Sequence, residues 1–398
     1  MRIQRSFKTE LCPNNKQRTL LLKGAGVARF VWNWALSRRK QEYAESGKSS
    51  GAYKQSKQLN AIKRTDFPWM YEVSKCACNE TLRDLDKAYR NFWRGLKTGN
   101  HVGLPKFKRK RNGIGSFRVQ FPIHVFESEI QLPKLGRIRL KERNYIPTEG
   151  IKILSATCSE RAGRWFVSVN CEVEIPDPVK PVNPIIGIDL GIKTLATVSD
   201  GRKFENPRSL QGALKHLCRL QRELSRRTNG SNNREKTRKK LARLHYRISC
   251  IRKNALHQAT SAVVKTKPSA IVLEDLSVKG MLKARRLARA ISDVGMYEFR
   301  RQITYKSAWN GIQVIIAPRY YPSSKKCSVC GQINHNLILA DREWTCECGA
   351  QLDRDLNAAL NLSTAKFAGS DACGDCVRPA SVGSNRRNRN NPAACIRS

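Results

Sequence analysis

Four cysteines stand close together as Cys327 and Cys330, in C-x-x-C spacing, and Cys346 and Cys348, in C-x-C spacing after fifteen intervening residues. Thiolates at such spacing suit one tetrahedral zinc ion, and the glycine after the first pair is that of a zinc knuckle. The second pair is one residue shorter than usual, so Glu347 has to be bridged by a tighter turn. Cys373 and Cys376 form another C-x-x-C, but only the isolated Cys395 follows them, and they are read as non-ligands.

Three carboxylates carry a second chemistry. Asp189 lies between Ile188 and Leu190 in an apolar run, Glu274 closes the run "AIVLE", and Asp355 opens "DLNAALNL". An ionised carboxylate in an apolar strand is costly without a cation or donors. Singly, each acid reads as structural: Asp355 suits a helix N-terminus, and Asp275 or Asp353 would serve equally as caps. Together, two strand-end acids and a helix-start acid in this order are what a ribonuclease H-like nuclease fold brings to one point. They would repel one another unless divalent metals neutralised them. Two ions about 3.5–4 Å apart can activate a water and stabilise the leaving oxygen in attack on a phosphodiester. Oxygen ligands suit Mg²⁺ or Mn²⁺ rather than zinc.

These groups need elements to hold them. "IIGIDLGIKTLATVSDGRKF" predicts a hairpin of buried strands, "SAIVLEDLSV" and "IQVIIAP" two further strands, and "LARAISDVGMYEFRRQITYKSAWNG" one helix. Between 151 and 175 the apolar period is two, with Val167, Val169, Cys171 and Val173 alternating behind the turn "ERAGRW", which predicts a small antiparallel sheet. Pro176, Pro178, Pro181 and Pro184 then stiffen the backbone and place the main domain boundary. Near the start, "NNKQRTLLLKGAGVARFVWNWALSRRKQEY" reads as two helices broken at "GAG", the second burying Val27, Val31 and Trp34, a helix-turn-helix in outline only. Leu82, Leu85, Tyr89, Phe92 and Leu96 recur at helical spacing and read as a core stripe.

Charge names the kind of partner. Lysine and arginine number 75 against 32 acids, a formal net charge of +43 in 398 residues, and a field of that size calls for a polyanion. From 215 to 253 there are fourteen Lys or Arg against two Glu, in two helical arms split at "RRTNGSNN". In "GLPKFKRKRNG" five cations, Lys106, Lys108, Arg109, Lys110 and Arg111, surround Phe107, a composition suited to phosphates and a base. No run of roughly 18 apolar residues is present and "MRIQRSFKTELCPNN" lacks the apolar core of a signal peptide, so a membrane partner is not expected and a reducing cytoplasm is. The stretch after Phe367 has little apolar periodicity and reads as a disordered tail.

"GIDLGIKTLAT", "IVLEDL", "NGIQVIIAPRYYPSSKKCSVCG" and "DRDLNAALNL", in this order and spacing, resemble the TnpB family, transposon-encoded RNA-guided nucleases of the OrfB type related to type V CRISPR effectors. The likeness extends over nearly the whole chain, through "GVARFVWNWALSRRKQEY", "HVGLPKFKRKR" and "LPKLGRIRL". It implies an α/β multidomain protein. Residues 1–180 would form a β-barrel wedge domain with a helical recognition insertion at about 12–115. Residues 181–366 would form a RuvC-type nuclease domain with a zinc-binding insertion at 322–350, and 367–398 the tail. The resemblance assigns the catalytic, magnesium-binding roles to Asp189, Glu274 and Asp355, leaving Asp353 as a neighbour. It makes the zinc clip at Cys327, Cys330, Cys346 and Cys348 an anchor for the helix bearing the third acid, and places Lys75 and Asn79 where the family contacts a short motif beside the target.

The implied partners are a guide RNA and a double-stranded DNA target in a prokaryotic cytoplasm, acting at the nucleoid, with base pairing carrying target choice and a basic channel holding the heteroduplex. The implied activity is metal-dependent, RNA-guided DNA cleavage by hydrolysis. The alternatives are a nuclease-dead, RNA-guided DNA-binding repressor and an accessory transposition factor, and the presence of all three acids favours cleavage.

Overall fold

The structure is a computed structural model that describes residues 1–100, 102–110, 113–338 and 341–365. The expected tail, with Cys373, Cys376 and Cys395, and Arg111 lie outside the described residues. In chain order, β1 (Arg2–Cys12) leads to α1 (Asn15–Ser46), α2 (Ala52–Lys63), a 3₁₀ turn (Pro68–Glu72) and α3 (Lys75–Lys97). Next come β2 (Ser116–Val119), β3 (His124–Val125), β4 (Glu129–Leu132), β5 (Gly136–Leu140), β6 (Ile151–Arg161) and β7 (Arg164–Glu174). After the prolines follow β8 (Ile186–Asp189), β9 (Thr194–Val198), β10 (Lys203–Glu205), α4 (Ser209–Arg226), α5 (Asn232–Lys265) and β11 (Ala270–Glu274). The chain continues through α6 (Val278–Met281), α7 (Ala288–Val294), α8 (Met296–Trp309), β12 (Gln313–Ala317), β13 (Glu343–Thr345), β14 (Gln351–Asp353) and α9 (Arg354–Thr364).

The first sheet is antiparallel and runs β2-β6-β7-β1-β5-β4-β3. The period-two run between 151 and 175 folds as the β6–β7 hairpin, turning at Ala162 and Gly163, where both residues have positive φ. The chain's first strand then lies along β7 from Arg2 opposite Glu174 to Leu11 opposite Trp165. Val167, Val169 and Cys171 point into the core with Ile130 and Ile138. Helices α1, α2 and α3 have their own core, built on Val27, Val31, Trp32, Leu36, Leu82 and Leu85, with Trp34 packed at its edge.

Two helix readings are corrected. No break occurs at "GAG": α1 is continuous, and a Cβ at Gly24 would meet the Phe117 ring at 2.8 Å, so this glycine serves close packing against β2. Conversely, the single helix expected before β12 is two, because Gly295 adopts φ +78 and ends α7 in the left-handed region before α8 begins. The stripe on α3 also leaves the core at its end, where Leu96 is 59% exposed.

The second sheet runs β10-β9-β8-β11-β12; the first three strands are antiparallel neighbours, whereas β8, β11 and β12 are parallel. Strand alternation divides its faces. Ile186, Ile188, Ile271 and Leu273 face α5 and α8, where Leu256, Val263, Phe299 and Ile303 are buried against them. Val272, one residue out of phase, packs instead with Leu362 of α9. Gly187 pairs with Val272 in register and faces the same helix. A Cβ there would lie 2.0 Å from the Ala359 carbonyl oxygen and 2.7 Å from the Ser363 nitrogen, so only glycine lets α9 lie this close to β8. Gly187→Ala is therefore expected to destabilise the protein by about 1–3 kcal/mol through overpacking. Thermal unfolding checks this; an unchanged midpoint would refute the close approach.

Candidate active site and metal centre

The same alternation places the acids. Asp189 shares phase with Gly187, and Glu274 shares phase with Val272, so both carboxylates leave the C-terminal ends of adjacent parallel strands on the face that α9 covers. Asp355 arrives from the first turn of α9. Asp189 is partly buried, and its carboxyl is pushed up to about 8, first by desolvation and then by the charges of Glu274 and Asp355, with Arg354 pulling the other way. Burial also raises Glu274, and a hydrogen bond donated by the Ser323 hydroxyl opposes it. Asp355 lies 3.4 Å from Nη1 of Arg342.

Asp189 thus feels the charge of both other acids. Their spacing is looser than that of the cysteines, which among the described residues are the only group of three or more ligand-type side chains with atoms all within 4.8 Å. An all-oxygen donor set fits hard divalent ions, and the like charges around Asp189 are what such an ion would neutralise.

The neighbouring acids have other work. Asp353 is the N-cap of α9: one carboxylate oxygen accepts from the backbone nitrogens of Asp355 and Leu356, each at 3.0 Å, and the other from Lys203 at 2.7 Å. Burial would raise this carboxyl, but the Lys203 bond and the two backbone donors hold it below the usual range. Asp275 pairs with Arg319 at 2.6 Å and Arg300 at 3.0 Å, which hold it low and engage it away from the acid cluster.

Cys327, Cys330, Cys346 and Cys348 come together, with sulfur separations of 3.9 Å for Cys327 to Cys348 and 3.5 Å for Cys330 to Cys346. Four thiols at this spacing can bind zinc. The short C-x-C closes through the tight turn it requires, in which Gly349 donates to the Cys346 carbonyl and Cys346 to the Ala350 carbonyl. Trp344 and Leu337 pack beside the sulfurs.

The link between clip and acids is a pair of asparagines that the sequence reading passed over. Asn357 and Asn361, one turn apart on α9, are buried at 1% and 3% exposure. Asn357 donates to the Lys326 carbonyl at 2.7 Å and accepts from the Ser328 nitrogen at 2.9 Å. Asn361 donates to the carbonyls of Ser323 and Lys326, at 2.8 and 2.6 Å. The backbone on either side of Cys327 is thereby fastened to the helix that carries Asp355, and Ser323, from the same loop, to Glu274. Two polar side chains four apart in an apolar helix were the visible signal; their backbone partners were not.

The expected nucleic-acid residues are spread over the N-terminal helices. Lys75 and Asn79 are exposed and one turn apart at the start of α3, where Asn79 also accepts from Ser56 at 3.2 Å. Lys106, Lys108, Arg109 and Lys110 lie on a loop pinned to α1: Trp32 donates to the Lys106 carbonyl, and Asn33 exchanges two hydrogen bonds with the Lys108 backbone. The Lys108 ammonium rests 3.9 Å from the Trp32 ring centre, which gives this one cation a partner within the protein.

Comparison with known proteins extends over most of the chain. A family model described as "Probable transposase" matches residues 168–285, a "Cas12f1-like, TNB domain" matches 297–362, and a "Helix-turn-helix domain" matches 1–48, which here is β1 and the single helix α1. A Streptomyces pristinaespiralis protein named "Putative RNA-guided DNA endonuclease" is 36% identical, covering 95% of this chain and 92% of its own. An Escherichia coli K12 relative, "Putative RNA-guided DNA endonuclease InsQ", is 35% identical over 95% of this chain and 96% of its own. A solved chain from the "Cryo-EM structure of the Cas12f1-sgRNA-target DNA complex" shares the fold with a TM-score of 0.52 at 14% identity, covering 91% of this chain and 99% of that one.

Metal analysis of the purified protein should give about one zinc per chain, and Cys330→Ser should lower both zinc content and folded yield. Zinc-free protein of normal stability would refute the clip. Asn361→Ala, which takes the buried donor from the Ser323 carbonyl and leaves the Lys326 carbonyl with Asn357 alone, should cost about 1–3 kcal/mol of stability. Calorimetry of the variant at full zinc occupancy separates that loss from metal release.

Proposed function

This chain belongs to the transposon-encoded family of RNA-guided DNA endonucleases, and from that membership we propose how its own residues carry out the cleavage. The protein holds a guide RNA, reads a short motif beside a double-stranded DNA target, and hydrolyses a phosphodiester at Asp189, Glu274 and Asp355. The observation that carries this reading is the meeting of two strand-end acids, on one face of one parallel pair, with an acid from the helix that covers that face. The order β10-β9-β8-β11-β12, antiparallel then parallel, supports assigning residues 181–366 to a ribonuclease H-like, RuvC-type nuclease domain with the zinc-binding insertion at 322–350. A sheet that β1 enters, leaves for α1 to α3 and rejoins at β2 supports residues 1–180 as a wedge domain of β-barrel type, with a recognition insertion at about 12–115.

Asp189, Glu274 and Asp355 would hold Mg²⁺ or Mn²⁺, which would supply the charge needed to activate water and stabilise the leaving oxygen. The chain's own groups prepare the place. Ser323 orients Glu274, Asp353 fixes the first turn of α9 and so the backbone of Asp355, and Arg342 holds Asp355 until a cation or a phosphate competes for either partner. Lys75 and Asn79 are assigned to the target-adjacent motif, and Lys106, Arg109, Lys110 and Arg111, with Lys108 secondary, to phosphates. No helix among the described residues is long and apolar enough to cross a membrane, and a prokaryotic cytoplasm is the proposed location.

Asp189→Ala, Glu274→Ala and Asp355→Ala should each abolish target cutting in Mg²⁺ while leaving RNA and target binding largely intact. Asp353→Ala should cost about 1 kcal/mol of stability as a lost cap yet retain cutting. Wild-type rates from Asp189→Ala would overturn the assignment. Dependence on RNA is read separately: protein stripped of nucleic acid should cut matched DNA only when its copurifying RNA is returned. Equal cleavage of matched and mismatched DNA without RNA would leave a nonspecific nuclease.

A further inference from the structure

At the far end of α1 and α3 from the sheet is a cavity of about 460 Å³, within the range of small-ligand sites. Its walls carry four aromatic rings, Tyr43 from α1 and Tyr89, Phe92 and Trp93 from α3, and it closes against Leu104 and Pro105. Core packing does not account for all of this surface: Tyr43 is 58% exposed and Trp93 52%. Phe92 and Trp93 meet edge to face, with ring centres 5.1 Å apart, so the indole is held in place rather than left to swing.

The cations at this cavity are as ordered as the rings. Arg39 is only 5% exposed, and its guanidinium lies 4.9 Å from the Tyr89 ring centre. Gln55 and Asp86 each take one of its donors, which fixes the group at the cavity wall. Lys40 reaches over Phe107 at 5.0 Å, and the segment carrying Phe107 is the one pinned to α1 by Trp32 and Asn33. Lys48 and Lys106 flank lining residues in the sequence and are exposed. An apolar, aromatic interior with cations at its mouth complements a flat heterocycle attached to phosphates.

We infer that this cavity takes an unpaired nucleobase of the RNA partner, stacked on Trp93 and Tyr43, with its flanking phosphates on Lys40, Lys48 and Lys106. The choice of RNA rests on the function proposed above together with a general distinction: a structured RNA offers splayed, unstacked bases in loops and bulges, whereas a DNA target arrives as a stacked duplex. A stacking platform distinguishes single strands from duplexes but is tolerant of sequence, because every base has a π-face. The cavity therefore fixes where the RNA lies and leaves target choice to pairing.

The probe is a fluorescein-labelled twelve-nucleotide oligoadenylate RNA, with the same strand annealed to its complement and the DNA strand of the same sequence as comparisons. Anisotropy is read on full-length, RNA-stripped protein at salt high enough to weaken simple phosphate contacts. Trp93→Ala and Tyr43→Ala should each weaken single-stranded RNA binding about tenfold, the scale of one lost stacking contact, and leave duplex binding within about twofold. Trp93→Phe should restore most of the loss. Unchanged binding, or equal losses on single strand and duplex, would overturn the inference, and a DNA strand that binds as tightly and loses as much would overturn the choice of RNA. A Trp93→Ala protein that binds the probe normally but loses self-association on gel filtration would likewise overturn it, in favour of contact between copies. Guided cutting by the same variants keeps the two readings apart: lost stacking with RNA-dependent cleavage retained leaves the nuclease proposal standing, and intact stacking without cleavage does the reverse.

Discussion

Asp189 is an ionisable group withdrawn from bulk water beside two further carboxylates, and the surrounding fold is arranged around the electrostatic cost of that position. Its carboxyl, pushed up to about 8, resists ionisation for two reasons that a divalent cation removes together: poor solvation and like charge. A divalent ion bound there would favour the ionised form, so its affinity would be coupled to deprotonation. Asp353 and Asp275 show the opposite treatment a few residues away. Each is supplied with donors or arginines that favour its ionised form and tie it to structural partners.

Bringing a third acid to that point is a packing problem before it is an electrostatic one. Helix α9 must lie almost on the backbone of β8, and Gly187 permits this by having no side chain to displace it. Closeness alone leaves the helix free to slide along the strand. Asp353 fixes its start, Leu362 seats its far end on Val272, and Asn357 and Asn361 tie its middle to the loop around Cys327. The cysteine clip is thus one of three restraints on the depth and rotation at which Asp355 is presented. That is the physical sense in which the cysteine cluster and the acids are neighbours: the cysteines close a loop, and that loop's hydrogen bonds to α9 set where Asp355 stands.

Much of this was legible in the sequence because the signals were local. Alternation around "ERAGRW" gave the β6–β7 hairpin, apolar runs gave β8, β11 and β12, and the asparagine-glycine break gave the tip between α4 and α5. The acids and cysteines were marked by type and spacing alone. What escaped depended on distant partners. "GAG" reads as a break until Phe117, some ninety residues on, is seen to occupy the space a side chain would need. The asparagines of α9 carry no sign of burial in the sequence, and their partners, the carbonyls of Ser323 and Lys326, come from a loop some thirty residues earlier. Leu96 fits the periodic stripe of α3, but the core it would join ends before it.

The charge balance follows the same logic of commitment. Many of the 32 acids are engaged inside the protein: Glu80 with Arg83 and Arg118, Asp86 with Arg39, Asp293 with Arg252, and Glu223 with Arg227 at the tip of the helical arms. Each such pair engages an acid as well as a cation, so the excess of 43 positive charges has few internal partners left to meet. Those cations repel one another in the free protein, and a bound polyanion relieves that repulsion in the folded state. By mass action such a ligand adds to folding stability as well as occupying a site. A bound RNA would then be part of what holds the basic surfaces in place, whereas Asp189 and Glu274 have no arginine or lysine ion pair among the described residues.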